Sequence, residues 1–517
     1  MQGSRGVRVR NLAVLRKHPV LVGLVTLVVV LLYARVSGAW FCGYDDFSEA
    51  HRAAFQDSVD PMRILTTTHD VGYMYRPVTS ALQYLTWNLF HHSPLAFRLR
   101  NLGMHLVSVA MLYGIVWLIA ESRVVAVGAA LLFGLNPMVN ETIVVAIWTN
   151  ATAYALLFAS LFLFLYSLRS LKRNGNWSIP LLVSLVCALV ALFTYEPTIA
   201  IFGLMFCYLG VWKARGLRLT RPYLSVLFFG IALELVAFFV IRHVFITSAA
   251  PLNPPSIVLR NAMMYCVALM TPVDFVLANA LFRIPLPSEL RIGAKLLILP
   301  AVIGIALLVI AILLVRHRRF KAAIARIDRP VLLFLVVGIP IGVLPTLLFR
   351  EHPSEHDLYL SAAFYATLIS LVIWQMTRSR LIYGLIILSL AISFSAATWV
   401  RNERVQECAV VAERILTQLP VARWRDGSWH IFLATTPGER LSQPYGAYND
   451  YGLHSLQTET GSTPGAQDAV QIAANNERIR VSVVKRETIA RSCIEPSTCF
   501  WVSTSGEVTG AETGKRR

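Results

Sequence analysis

The chain has 517 residues, 56% hydrophobic and only 15% charged, with a mean hydropathy of +0.59 and a formal net charge of +18. A soluble protein of this size carries about 25% charged residues, so the composition excludes a soluble globular enzyme and implies a polytopic membrane protein with a polar tail. The basic excess does not point to nucleic acid, because it sits in short gaps between apolar runs rather than on one soluble face, a pattern that suits anionic lipid headgroups.

A spanning helix needs roughly 20 apolar residues. The first candidate is 19–39, preceded by Arg5, Arg8, Arg10, Arg16 and Lys17. Ser37, Gly38 and Ala39 resemble a cleavage site, but an uncleaved anchor is the better reading, since cleavage would detach the acidic loop that follows. Further apolar runs cover 102–120, 124–137, 151–168, 179–193, 198–212, 224–241, 296–315, 331–348, 358–376 and 381–400, giving about eleven predicted spans. The run 257–282 holds Arg260, Pro272 and Asp274 and reads as interfacial or re-entrant.

With the N-terminus in the cytosol, the dense basic loops all fall on the cytosolic side: Arg123; Arg169, Lys172 and Arg173; Lys213 to Arg221; Arg316 to Arg329; Arg378 and Arg380. The other side receives the Asp45 loop, the Glu141 and Glu196 turns, the Arg350 to Asp357 loop and the tail. The expected fold class is therefore an all-α polytopic membrane protein with a small extracytoplasmic α/β domain. Its transmembrane domain would cover 1–400, with a first outer loop at 40–100. The α/β domain would cover 401–517, with an amphipathic helix at 404–419 and strands at 429–434, 479–484 and 500–503. Cys187, Cys207 and Cys266 lie in apolar runs. Cys493 and Cys499 are close enough in sequence to pair if the tail is outside the cytosol.

The residues that could carry chemistry gather on the outer side. Asp45 and Asp46 follow the first span, where carboxylates need a cation, a cavity or an acceptor hydroxyl. One of them can act as general base or metal ligand while the other orients it; the competing reading is a helix cap. Glu141 and Glu196 close outer turns, where they are either functional or solvated loop carboxylates. Glu234 lies inside an apolar run and must face the bundle interior or a cation. Arg76, Arg98, Arg100, Arg350, His352 and His356 lie at the outer edge, suited to a phosphate headgroup or to interfacial snorkelling. Asn101 and His105, four apart on one helix, share a face and suit a helix–helix hydrogen bond. No GxGxxG, Walker, HExxH or paired CxxC motif is present. An enzyme at this face needs an activated substrate independent of cytosolic ATP, which a lipid-linked phosphosugar satisfies.

Tyr75-Arg76-Pro77-Val78 through Asn101 and His105 resembles the "RP…N…H" block of the GT-C glycosyltransferases, in particular the TMTC-like membrane mannosyltransferases. Asn136-Pro137-Met138-Val139-Asn140-Glu141 is similar to their "HPVHVE" segment, Tyr195-Glu196-Pro197 to their "KE" turn, and Glu355-His356-Asp357-Leu358-Tyr359-Leu360 to their "ERYLYLP" segment. The resemblance covers about the first 400 residues. It implies a multi-span enzyme that moves a sugar from a polyprenyl-phosphate donor to a glycan, lipid or protein acceptor at the outer face of a cell membrane, usually with inversion. Asp45 or Asp46 would be the base and Glu141 would assist, while Arg76, Glu196, Arg350, His356, Asn101 and His105 would line the substrate site. A divalent ion (magnesium, manganese or zinc) held by Asp45 and Glu141 is implied, or else no cofactor. His356 stands where the family pattern has an arginine, which leaves Arg350 or Arg76 to meet phosphate. The alternatives are a flippase for lipid-linked saccharides, with Glu234 in its favour, and a non-catalytic membrane scaffold.

Overall fold

The computed structural model describes residues 17–41, 44–57, 61–66, 74–91, 93–173, 175–246, 252–270, 318–349, 354–435, 464–485, 498–503 and 507–510. The predicted span 296–315, Arg350 and His352 lie outside these residues.

Ten helices correspond to predicted apolar runs. They are α1 (Lys17–Ser37), α4 (Pro94–Ala120), α5 (Arg123–Gly134), α7 (Asn150–Lys172), α8 (Ser178–Thr194), α9 (Ala200–Ala214), α10 (Arg221–Phe245), α13 (Arg329–Phe349), α14 (Tyr359–Thr377) and α15 (Arg380–Gln418). Shorter helices are α2 (Tyr44–His51), α3 (Pro77–Phe90), α6 (Asn140–Val144), α11 (Pro255–Met270) and α12 (Arg318–Arg326). By length and composition 8 described helices can cross a membrane, counting α9 and α14 with their leading turns. The bent pair α5–α6, broken by 54°, makes a ninth; α8 is apolar but shorter. The bend has a local cause: Pro137 cannot continue the helix, and Asn136 Oδ1 accepts the Met138 N–H at 2.9 Å. The run 257–282 begins as α11, and Asn253 just before that helix donates to the Leu347 and Leu348 carbonyls at the end of α13.

Helices approach closely where side chains are small, as expected where lipid offers no hydrophobic drive for association. A Cβ on Gly342 of α13 would lie 2.7 Å from Ser361 Oγ of α14. A large apolar core fills the bundle, with a smaller cluster around Met138, Tyr265 and Leu358.

The predicted helix at 404–419 is not separate. α15 runs unbroken for 39 residues from the last apolar run into the tail, because 401–418 keeps helix-forming residues and no proline before Pro420. The tail then forms a four-stranded sheet of β1 (Trp429–Thr435), β2 (Ile479–Lys485), β3 (Cys499–Val502) and β4 (Val508–Gly510), in the order β2-β1-β3-β4. β1 is parallel to both β2 and β3, and β4 is antiparallel. Helix α16 (Pro464–Ala474) links β1 to β2. Period-two alternation turns Ile431, Leu433, Ile479, Val481, Phe500 and Val502 inward. These join Phe41, Phe47, Trp87 and Phe97 in a second core, so the tail and the first loop share one interior.

Candidate active site

The helix order returns five segments to one rim of the bundle: the first loop, residues 135–149, the Glu196 turn, the 354–358 turn and the tail. The stretch 145–149 between α6 and α7 is buried yet non-helical, so its backbone groups need partners. Side chains supply them. Arg98 Nε donates to the Val144 carbonyl at 2.9 Å, and Asn101 Nδ2 to Val145 at 2.8 Å and Ala146 at 3.1 Å. Arg100 Nη2 reaches Trp148 O at 2.8 Å, and Gln83 Nε2 reaches Ile147 O at 3.2 Å. Asp46, fully buried, accepts the Ile147 N–H at 3.1 Å. Arg98 also donates to the Ala39 and Trp40 carbonyls, tying the end of α1 to this stretch.

Asp46 therefore serves as an anchor for the 145–149 backbone. Asp45 sits in the first turn of α2; its side chain lies outside the described residues. Asn101 holds carbonyls of the same stretch. His105, one turn deeper and fully buried, is bonded through Nδ1 to Tyr359 Oη at 2.6 Å and through Nε2 to Gly134 O at 3.2 Å, apart from the rim groups.

Two clusters remain, joined through Tyr195. In the first, Glu141, only 2% exposed, accepts the Ser354 hydroxyl at 2.7 Å and the His356 N–H at 3.0 Å through Oε2. The His356 imidazole lies between two carboxylates, with Nδ1 3.3 Å from Glu141 and Nε2 3.3 Å from Asp357. Its ring meets half-buried Trp148 edge to face at 4.5 Å between centroids. Asp357 also accepts the Tyr195 hydroxyl at 3.0 Å and the Tyr265 hydroxyl at 2.8 Å. In the second, Arg76 Nε donates to Glu196 at 2.7 Å, with its guanidinium 4.9 Å from the Tyr195 ring centroid. Arg242, at the end of α10, lies 3.8 Å from the other Glu196 oxygen, which has no hydrogen-bond partner among the described residues. A buried Arg401–Glu355 pair at 2.9 Å fixes the turn to α15.

Of the sequence candidates, the structure joins Glu141 to His356 and Arg76 to Glu196. Asp46 and Asn101 meet at the 145–149 stretch. Asp357, Tyr195, Tyr265, Trp148 and Arg242 were not singled out. Arg242 had a signal: it is a cation at the end of the bundle where the charge rule places few. Tyr265 had none, because its partner is 92 residues away. The pairing of Asp45 with Glu141 as metal ligands falls on the Asp45 side chain, which lies outside the described residues. Glu141 Oε2 is already the acceptor for Ser354 and His356, and among the described residues no group of three or more His, Cys, Asp or Glu side chains converges as for a metal. Cys187, Cys207 and Cys266 are free; Cys499 is disulfide-bonded, while Cys493 lies outside the described residues.

No family model matches the sequence, and no curated protein matches it. Among solved structures, the chain is similar to the apo oligosaccharyltransferase of Archaeoglobus fulgidus, with a TM-score of 0.48, 12% identity, and coverage of 90% of this chain and 64% of that one. It is also similar to AglB of the same organism in complex with an inhibitory peptide and a dolichol-phosphate, at TM-score 0.44 and 12% identity, covering 97% of this chain and 74% of that one. ArnT from Cupriavidus metallidurans bound to undecaprenyl phosphate is similar at TM-score 0.36 and 14% identity, covering 94% and 92%. The chain thus spans 64% of the length of the first of these. Likeness at such identities and scores assigns no activity.

Proposed function

We propose that this chain is a membrane glycosyltransferase of the GT-C type, moving a sugar from a polyprenyl-phosphate donor to an acceptor hydroxyl at the non-cytoplasmic face. The observation that carries the reading is the convergence at one rim of Glu141, His356, Asp357, Arg76, Glu196 and Arg242 from separate segments. The basic loops at the opposite end support placing this rim outside. The disulfide at Cys499 agrees with an oxidising compartment for the tail.

The chemistry follows from the charges. The donor's C1–oxygen bond breaks, the polyprenyl phosphate leaves with its electron pair, and that departing phosphate needs fixed cations. Arg76 and Arg242 flank a single carboxylate, Glu196, so a donor phosphate can take its place between them. The acceptor hydroxyl gives its proton to a carboxylate as its oxygen bonds to C1. Asp45, in the first turn of α2, is assigned as that base, while Asp46 Oδ1 holds the Ile147 N–H. His356 sits between two carboxylates beside the site, its ring edge to face with Trp148. A divalent ion, if bound, would neutralise donor phosphate charge, and Asp45 is the residue left to hold it. The acceptor remains any of a glycan, lipid or protein.

The test is transfer of labelled sugar from a synthetic polyprenyl-phosphate hexose by the full chain in lipid nanodiscs. Loss of transfer in Asp45→Asn, with Asp46→Asn showing mainly lower thermal stability, is expected. Full transfer in Asp45→Asn removes the assigned base. Movement of labelled lipid across the bilayer with no new glycosidic bond replaces the enzyme by the flippase reading, for which the buried Glu234, with Oε2 unpartnered among the described residues, is the observation.

A further inference from the structure

The helix that opens with Asp45 and Asp46 is gripped from three directions. At its start Asp46 holds Ile147. Just past its end Arg52 donates to Ser80 Oγ at 3.0 Å and to Gln83 Oε1, fastening it to α3. Along its length it packs against α16 of the tail. Phe47, Ala50 and Ala53 meet Ala469, Val470 and Ile472 in one core. Within this apolar contact lies one titratable pair, His51 Nδ1 and Asp468 Oδ1, 3.9 Å apart, with both side chains largely buried. The ring of His51 also packs on Phe55 at 4.9 Å, and Gln471 of α16 lies beside it.

We propose that α16 is a clamp that positions the acidic helix α2, and that His51 and Asp468, facing each other within it, balance each other so that the clamp stays closed as external pH changes. The proposal deepens the transferase reading, because α2 carries the assigned base about 9 Å along the helix axis from His51.

Burial pushes the Asp468 carboxyl up to about 7. Burial also pushes His51 below its ordinary value, opposed by the field of Glu477 and by Gln471. On its own, an acid raised from 3.8 to about 7 loses its docking contribution as pH climbs through that interval. A histidine lowered from 6.5 has the opposite slope: its contribution is complete above 6.5 and is lost as pH falls. In the docked pair one proton is held over most of this range, and in the undocked pair His51 holds one over much of the same range. The two slopes therefore offset each other. Other charged groups nearby are neutralised or solvated: Glu49 pairs with Arg52, while Glu413, Arg414, Arg423, Glu477, Arg478 and Arg480 are exposed.

The experiment is hydrogen–deuterium exchange of amides 44–57 in the full chain in nanodiscs from pH 5 to 8, corrected for intrinsic rates. The wild-type protein should show a nearly flat profile. His51→Gln leaves Asp468 alone, so protection should fall with rising pH, by at least about tenfold, the equivalent of one unit of pKa. Asp468→Asn leaves His51 alone, so protection should fall on acidification. The double variant should be flat again. Parallel profiles in the two single variants, or a sloped double variant, overturn the proposal, as does an Ala469→Trp wedge that leaves 44–57 protected. None of these readouts requires donor or acceptor, so a missing transferase activity leaves the clamp standing and a missing clamp leaves the activity open.

Discussion

Glu141 Oε2 accepts the backbone N–H of His356 at 3.0 Å and lies 3.3 Å from its Nδ1, joining the bent α5–α6 turn to the start of α14. One carboxylate oxygen thus serves as a structural acceptor and faces a proton-bearing ring. These two roles separate on substitution. Glu141→Gln keeps an acceptor oxygen but removes the charge, so the protein should melt near the wild-type temperature while transfer falls by about 10²-fold or more, the range of general acid–base assistance. Glu141→Ala also strands a buried N–H, at about 1–3 kcal/mol, and should lower the melting temperature. Wild-type transfer by Glu141→Gln would reduce Glu141 to a bracket for the 354–358 turn.

If Glu196 occupies the place a donor phosphate takes, substitutions on its two sides must act with opposite sign. Arg76→Ala should weaken capture of polyprenyl phosphate by about tenfold, or about 1.4 kcal/mol. Arg76→Lys should rescue little, because lysine lacks the planar group that lies over Tyr195 and the directed Nε–H. Glu196→Gln removes the competing anion and should tighten binding. Titration of labelled polyprenyl phosphate into nanodiscs measures all three. Weaker binding in Glu196→Gln would show the carboxylate to be an organiser of the arginines and not their occupant.

The 145–149 stretch depends on side-chain donors for its carbonyls. Asn101→Leu removes, at constant bulk, the two bonds Asn101 donates to Val145 and Ala146 and the two it accepts from Arg100, and takes from the buried Val145 carbonyl its side-chain donor, at about 1–3 kcal/mol. His105→Phe deletes bonds to Tyr359 and Gly134 instead. Both should lower the melting temperature, but only Asn101→Leu should speed amide exchange in 145–149. Equal exchange in the two variants would mean that Arg98, Arg100 and Gln83 suffice.

Periodicity and hydropathy made most of the bundle legible. Ten predicted runs recur as helices, because apolar stretches between basic gaps leave the chain little choice. The strands predicted at 429–434, 479–484 and 500–503 were equally plain from β-branched and aromatic alternation, and recur within a residue or two. The α15 continuity was missed because a polarity change at Arg401 looks like a boundary, although helical hydrogen bonding is indifferent to it. The rim was half legible. Charged residues announce themselves, so Glu141, Arg76, Glu196 and His356 could be named. Tyr195, Tyr265 and Trp148 look like ordinary apolar filler until the fold brings their polar or aromatic faces to Asp357 and His356. The roles of Asp46 and Asn101 are backbone satisfaction, which depends on a non-helical stretch 44 to 101 residues away and leaves no periodic mark.

The shared core of tail and first loop yields the last prediction. Truncation after Gln418 removes Trp424, Ile431, Leu433, Val470, Ile479 and Phe500, and with them the cover over Phe47, Trp87 and Phe97. Uncovering an aromatic side chain costs about 1.5–3 kcal/mol, so the loss exceeds what one eight-residue helix and its anchors supply. The truncated chain should still insert, since its apolar helices are intact, but residues 44–57 should become sensitive to protease and transfer should be lost. Adding the tail back as a separate polypeptide should restore protection in proportion to its concentration. Transfer at the wild-type rate by the truncated chain would mean that α2 holds its place through Arg52 and Asp46 alone, and that the tail serves another partner.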